Sequence, residues 1–324
     1  MSALEPDLLA EVGVTREGLA ALLERRQLGS LETIKTLEGG TVNPLLLIND
    51  RLVLRFNRRD PDLPKLRWEA LIYQRLQAIP DVPCPEVLAL DTARDLVPFD
   101  VLILSYVEGM RADTVWSSLD AAAQEQISEE LGRICGVVHS LEWPVYGEFV
   151  SVADQSLCSL RWTDIVCRKI ERAYTRAAAL SALPTRLLDG LVTALNDGDA
   201  VFGASSPPTL THADLWLPNV VLRQDGGSWQ VAALLDWEWS IVADASWEFA
   251  NLWSYPDDPY PLPDAFLAGY RSRRALPNDL RVRQRLYRLL YFFEGAVNLA
   301  EREGPQSSAA QFYRTAIERL LQAR

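Results

Sequence analysis

The chain has 324 residues, 48% hydrophobic and 23% charged, a balance that lets a globular protein bury a core without disulfides or structural metal. Lys and Arg number 32 against 44 Asp and Glu, a formal charge of −12, which argues against a general nucleic-acid binder because phosphate binding needs clustered positive charge. At about 150 residues per domain the length predicts two domains or lobes.

Cys84, Cys135, Cys158 and Cys167 form no C-x-x-C pair. Free buried thiols in a reducing compartment are therefore expected, rather than a zinc ribbon or a thioredoxin-type site. The opening segment MSALEPDLLAEVG has no basic region and no long apolar run. No stretch reaches the roughly 20 apolar residues of a membrane helix. The expectation is a cytoplasmic protein with no membrane partner.

Leu8, Leu9, Val12, Leu19, Leu22 and Leu23 recur at helix spacing. Residues 31–37 follow as a strand, then a turn at Glu38-Gly39-Gly40. Residues 45–48 and 52–56 are apolar runs joined by Asn49-Asp50-Arg51, which predicts a hairpin. Residues 64–77 read as a helix with Leu66, Ala70, Tyr73 and Leu76 on one face, ended by the Pro-rich stretch 80–85. Residues 87–90 and 101–106 read as strands. After Glu108-Gly109 the pattern turns helical, with Leu131, Ile134, Cys135 and Val138 in one apolar stripe that His139 ends as a core or cap residue. The exception is a β-rich segment, 209–236. There residues 220–222 and 231–235 flank Gln224-Asp225-Gly226-Gly227-Ser228, a strong hairpin signal. Antiparallel pairing would bring the hairpin's outer ends, Asn219 and Asp236, together.

His212-Ala213-Asp214-Leu215-Trp216-Leu217-Pro218-Asn219 has the form H-x-D-x-x-x-x-N, the spacing of a kinase catalytic loop. A phosphoryl group in flight spreads negative charge, so its catalysis is mostly positioning and neutralisation. One carboxylate, Asp214, would face the attacking hydroxyl. A second, Asp236, and the amide oxygen of Asn219 are the hard oxygen ligands that suit Mg²⁺.

HADLWLPN, followed by LLDWEW and then Ala243-Asp244, resembles the aminoglycoside phosphotransferase and choline kinase superfamily. The run HAD…LLDWEW…WEFANLW is most similar to its hygromycin-type antibiotic branch. The family pattern is H-G-D-x-x-x-x-N, then I-D-W/F, then G-D-P-x-x-D-L. Here Ala213 and Ala243 stand for the two Gly, Ala245 for the Pro and Glu248 for the last Asp. The resemblance implies a two-lobed α+β protein-kinase-like fold. Its small β-rich N-terminal lobe, residues 1–106, would bind nucleotide. A larger, mostly helical C-terminal lobe, residues 107–324, would carry the catalytic and acceptor groups, with the nucleotide in the cleft.

By the same resemblance Gly39, Gly40, Thr41 and Asn43 form the loop over the nucleotide, and Arg55 is the strand cation for its phosphates. Glu69 is the helix carboxylate that pairs with that cation, and Ser105, Tyr106 and Val107 are the linker along the purine. Asp214 receives the hydroxyl proton, Asn219 and Asp236 hold Mg²⁺, and His212 has a structural role, bonding backbone near Asp236. The implied activity is ATP-dependent, or GTP-dependent, phosphorylation of a hydroxyl on a cationic small molecule by a monomer or homodimer. An aminoglycoside-like antibiotic leads, which would make this a resistance enzyme. Choline, ethanolamine or an amino sugar, and a nucleotide-binding regulator without turnover, stay open. A protein kinase is disfavoured, because no A-P-E segment or long activation loop follows Asp236.

Trp216, Glu238, Asp257 and Asp258 are candidates for the acceptor wall. Of Trp216, Trp237, Trp239, Trp247 and Trp253, most are expected in the core. The basic set Arg271, Arg273, Arg274, Arg281, Arg283 and Arg288 reads as a solvated helix face.

Overall fold

The computed structural model describes residues 5–37, 45–58, 61–148, 158–250, 252 and 262–322. In chain order the elements are α1 (Glu5–Val12), α2 (Arg16–Arg25), β1 (Ile34–Thr36), β2 (Leu45–Ile48), β3 (Leu52–Phe56), α3 (Lys65–Gln77), β4 (Val87–Asp91), β5 (Val101–Ser105), β6 (Met110–Arg111), α4 (Ala112–Val115) and α5 (Ala121–Val138). They continue with β7 (Tyr146–Glu148), β8 (Cys158–Ser159), α6 (Trp162–Leu180), α7 (Thr185–Asn196), α8 (Asp199–Gly203), β9 (Thr209–Thr211), β10 (Val220–Asp225), β11 (Ser228–Leu234), β12 (Ile241–Ala243), α9 (Asp264–Arg271), α10 (Leu280–Glu303) and α11 (Ser308–Gln322). Among the described residues no helix is long and apolar enough to cross a membrane. Contacts divide the chain into two compact units, Met1–Ile127 with Leu217–Glu238, and Ser128–Trp216 with Trp239–Arg324.

The first unit is built on an antiparallel sheet of order β1-β2-β3-β5-β4. Leu46, Ile48, Leu52, Leu54 and Phe56 are fully buried and pack with Val12, Leu19 and Leu23 of the two N-terminal helices. The β2–β3 hairpin turns without glycine. Asn49 and Asp50 both take φ of 53°, the left-handed pair of a type I′ turn, which Asn and Asp tolerate best among non-glycine residues. The Asn49 side chain fixes the turn by accepting from the Glu32 and Thr33 amides at 2.9 and 3.0 Å.

A second sheet in this unit has the order β11-β10-β6. Gly226 and Gly227 supply its turn with φ of 57° and 90°. Val220 pairs with Leu234, and the Leu235 amide donates to the Asn219 carbonyl at 2.8 Å. The hairpin thus joins Asn219 to the residue before Asp236, as its sequence predicts.

The second unit is mostly helical, around a core that includes Trp162, Trp247, Tyr287 and Phe293, with a small sheet of order β8-β7-β12-β9. Within it α5 and α9 meet at glycines. A Cβ on Gly132 would lie 2.0 Å from the Phe266 carbonyl oxygen, and one on Gly269 would lie 1.9 Å from that of Glu129. The close approach lets His139, just past α5, reach the Tyr270 hydroxyl on α9, 3.0 Å from its Nδ1.

Two readings of side-chain placement are corrected. Arg283 and Arg288 are buried, not solvated. Arg283 pairs with Asp244 at 2.8 Å and Asp279 at 2.7 Å, Arg288 donates to the Ala250 carbonyl, and Arg274 donates to the His139 carbonyl. A guanidinium can bridge several acceptors on different elements, so these cations are structural clamps. Of the four thiols, all free, only Cys135 is buried, and Cys167 is exposed.

Gly132→Ala is expected to destabilise the protein by about 1–3 kcal/mol through overpacking against backbone. Thermal unfolding checks this, and an unchanged midpoint would mean the two helices are not held at this spacing.

Candidate active site

Arg55 lies on the central strand β3, opposite Leu45 on β2 and Leu102 on β5. It is only 8% exposed, and a guanidinium that deep must be paired. Helix α3 brings Glu69, fully buried, to 3.1 Å from Arg55 Nε, and Asp236 Oδ1 lies 2.9 Å from Arg55 Nη2. Glu238 Oε2 stands 3.7 Å from the same Nη2. One turn beyond Glu69 on α3, Tyr73 accepts from the Asp236 amide through its hydroxyl at 3.1 Å. Burial pushes the Glu69 carboxyl up to about 8; Arg55 pulls it down, while the charges of Asp236 and Glu238 push it up. A strand, a helix and the end of a hairpin are tied at one cation.

This cluster opens on a cavity of about 210 Å³ lined by Arg55, Tyr73, Ser105, Tyr106, Val107, Asn219 and Asp236, with Leu37, Leu104 and Arg111 around them. The Ser105 and Tyr106 amides are bonded to the Glu86 and Arg51 carbonyls at 2.9 and 2.8 Å, which fixes the linker as one wall. Apolar walls with a few convergent polar groups are the usual build of a small-molecule pocket. Asn219 and Asp236 both line this space, and an amide and a carboxylate oxygen are a donor set suited to a hard cation.

The second unit carries Asp214. The loop from His212 to Asn219 passes from this unit to the first between Trp216 and Leu217. Glu248, buried at 2% exposure, holds the loop's start: its oxygens accept from the His212 and Ala213 amides at 2.6 and 3.2 Å. His139 Nε2 lies 3.3 Å from the same carboxylate. A carboxylate only accepts, so His139 donates from Nε2 and meets the Tyr270 hydroxyl at Nδ1. Burial alone would raise the Glu248 carboxyl, but the His139 bond and the nearby imidazoles hold it below the usual 4.5. The Asp214 amide donates to His212 Nδ1 at 3.3 Å. Ala213, where the family pattern has Gly, takes φ of 63°.

Among the described residues, Cys135, His139 and Glu248 are the group close enough to share a metal. Glu248 and His139 already have their partners in the loop amides and Tyr270, so the group reads as a structural anchor.

The structure thus brings Arg55, Glu69, Asn219, Asp236 and the linker together in one unit. Gly39, Gly40, Thr41, Asn43, Trp253, Asp257 and Asp258 lie outside the described residues. Trp237 and Trp247 are core, whereas Trp216 and Trp239 are 38% and 50% exposed. Glu238 is buried against Arg55. Sequence reasoning missed Tyr73 and the role of Glu248. The signal for Tyr73 was its place four residues after Glu69, on the same helix face.

The family described as APH, phosphotransferase enzyme family, matches residues 33–286. The chain belongs to the phosphotransferase enzyme family. No curated protein matches the sequence at a significant level. Among solved structures, the GDP and kanamycin complex of APH(2")-IIia is similar at 15% identity, over 93% of this chain and 95% of that one, with a TM-score of 0.67. A thermostable mutant of aminoglycoside phosphotransferase APH(4)-Ia gives 18%, 95%, 98% and 0.65. A protein from Thermobifida fusca YX-ER1 designated a fructosamine-3-kinase gives 17%, 94%, 96% and 0.67. The shared fold is the two-lobed α+β protein-kinase-like one, and the likeness is spread so evenly that it singles out no branch.

Ala213→Gly is expected to stabilise this family member by up to about 1 kcal/mol, since it removes left-handed strain that outweighs the added freedom of the unfolded chain. A lower melting midpoint would refute this. Glu248→Gln is expected to cost about 1–3 kcal/mol at neutral pH. The lowered carboxyl of Glu248 stabilises the fold above the usual 4.5, and this is lost as pH falls through its folded value. The gap between wild type and Glu248→Gln in pH-dependent melts should therefore close in acid, and a gap constant with pH would count against the charge.

Proposed function

We propose that this phosphotransferase moves the terminal phosphoryl group of ATP, or GTP, to a hydroxyl of a small amine-bearing molecule, with an aminoglycoside-like antibiotic as the leading acceptor. One observation carries the reading. Arg55 is paired with Glu69 and Asp236 beside Asn219 in a cavity walled by the linker Ser105–Val107. Such a cation on a sheet strand, tethered to a helix carboxylate, is what a nucleotide's phosphates require. The Arg55 fork binds phosphate oxygens, and its pairing holds it in place for them. Asn219 and Asp236 would hold Mg²⁺, which supplies neutralisation of phosphate charge when bound. Asp214 orients the acceptor hydroxyl and takes its proton. Residues 1–106 supply the nucleotide contacts and residues 107–324 the catalytic and acceptor groups.

The acceptor class rests on two supports. The formal charge of −12 favours cationic ligands. APH(2")-IIia and APH(4)-Ia share the fold, and the former was solved with GDP and kanamycin. An amino sugar is the second reading, supported by the equal TM-score of 0.67 to the fructosamine-3-kinase.

The test is nucleoside-diphosphate release with Mg²⁺ and ATP or GTP against aminoglycosides, amino alcohols, amino sugars and macrolides. Acceptor-dependent release is expected, falling about 10²–10⁴-fold in Asp214→Asn. Turnover that survives this substitution would remove Asp214 from its role, and no stimulation by any acceptor would sink the small-molecule kinase reading.

A further inference from the structure

Asp236 is fastened at two points, and they engage different groups. Arg55 Nη2 takes the carboxylate, 2.9 Å from Oδ1. The Tyr73 hydroxyl accepts from the backbone amide at 3.1 Å. A cation in the cavity would bind the carboxylate and so compete with the first tie. It would leave the second untouched, because a backbone N–H is a donor and a hard cation takes oxygen ligands.

The second tie sits where the backbone needs one. Strand β11 ends at Leu234, and the Leu235 amide donates to the Asn219 carbonyl at 2.8 Å. The next amide, that of Asp236, lies past the ladder, and Asp236 takes φ of 63°. Bonds from other elements must offset the cost of that left-handed conformation. Tyr73 is fully buried on α3, one turn beyond Glu69, so packing fixes its ring. A neutral phenol accepts through its lone pairs while it keeps its proton. The end of the hairpin is thus held through Leu235 to Asn219 on one side and through Asp236 to α3 on the other.

We propose that Tyr73 is a positioning residue for the divalent cation: its hydroxyl holds the Asp236 backbone in the left-handed turn, and so keeps the carboxylate beside Asn219 when the cation draws it from Arg55. The inference rests on the metal-site reading above and deepens it. Without a cation, Asp236 has two restraints, one on the side chain and one on the backbone. With a cation bound, the side-chain restraint is shared or lost, and the backbone restraint carries the geometry. A phenylalanine at position 73 could pack in the same place but would hold nothing. The seating of α3 therefore bears on the cation as well as on Arg55, since Glu69 and Tyr73 stand four residues apart on one face of that helix.

The experiment is Mn²⁺ binding followed by electron paramagnetic resonance, with ADP or GDP present, in the wild type and in Tyr73→Phe. The variant should bind Mn²⁺ about three- to tenfold more weakly, the worth of one hydrogen bond. Its affinity for the same nucleotide in EDTA should change by less than about twofold, since Asp236 then keeps its tie to Arg55. A lower melting midpoint with unaltered Mn²⁺ affinity would make the hydroxyl merely structural and overturn the proposal. Equal losses of Mn²⁺ binding and of metal-free nucleotide binding would make Tyr73 a wall of the nucleotide pocket and overturn it too. A second readout needs no variant. In the wild type with Mg²⁺ and nucleotide bound, the Asp236 amide should stay protected from hydrogen exchange, and exchange at the free-peptide rate would overturn the proposal. A wild type that binds no Mn²⁺ with either nucleotide would instead remove the metal-site reading on which the proposal rests.

Discussion

Arg55 is a positive charge placed in the interior of the first unit, and much around it follows from the need to keep it there. A buried guanidinium is tolerable only with partners on several sides. Those partners come from a helix and from the end of a hairpin far along the chain. Asp236 is 181 residues from Arg55 in sequence, yet its oxygen completes the pairing. The sheet beneath must hold Arg55 in register with Leu45 and Leu102. Helix α3 must lie so that Glu69 and, a turn later, Tyr73 both reach inward. The cavity beside Arg55 is therefore a consequence of how its charge is satisfied.

The second unit solves a different problem with the same means. The loop that carries Asp214, the proposed catalytic carboxylate, has backbone amides with no ladder to join. Glu248 accepts two of them, and His139 and Tyr270 fix Glu248 in turn. The glycines where α5 meets α9 make that chain possible, because they bring Tyr270 within reach of His139. A packing choice in two helices thus reaches Asp214 through three hydrogen-bonded side chains. The left-handed turn at Ala213 completes the loop, in a conformation that its side chain resists.

Both site carboxylates sit at such turns. Asp236 takes φ of 63°, as does Ala213 next to Asp214. Aspartate reaches this region more readily than most residues, since its short polar chain bonds locally. At Asp236 the Tyr73 hydroxyl and Arg55 supply that compensation from another element. Local strain at the candidate site is held by tertiary bonds, the pattern expected where function and local preference disagree.

Local pattern and spacing were enough to read much of this protein. The strands β2 and β3 were bounded by their apolar runs, and the β10–β11 hairpin by its Gly-Gly turn, because period and turn chemistry act over a few residues. The spacing of His212, Asp214 and Asn219, with Asp236 past the hairpin, was enough to nominate the candidate site, since one loop and one turn carry all four. What lay beyond reach was set by distance in three dimensions. Glu238 follows Asp236 by two residues in the chain, but its nearness to Arg55 depends on how the hairpin lies against the sheet. Arg283 and Arg288 look like a solvated basic face until Asp244 and the Ala250 carbonyl close around them. The grouping of residues 217–238 with the N-terminal unit is likewise a matter of contacts and not of chain order. Sequence determines which groups are chemically able to meet. Only the packed fold decides which of them do, because burial turns each nearby charge into a partner that must be found.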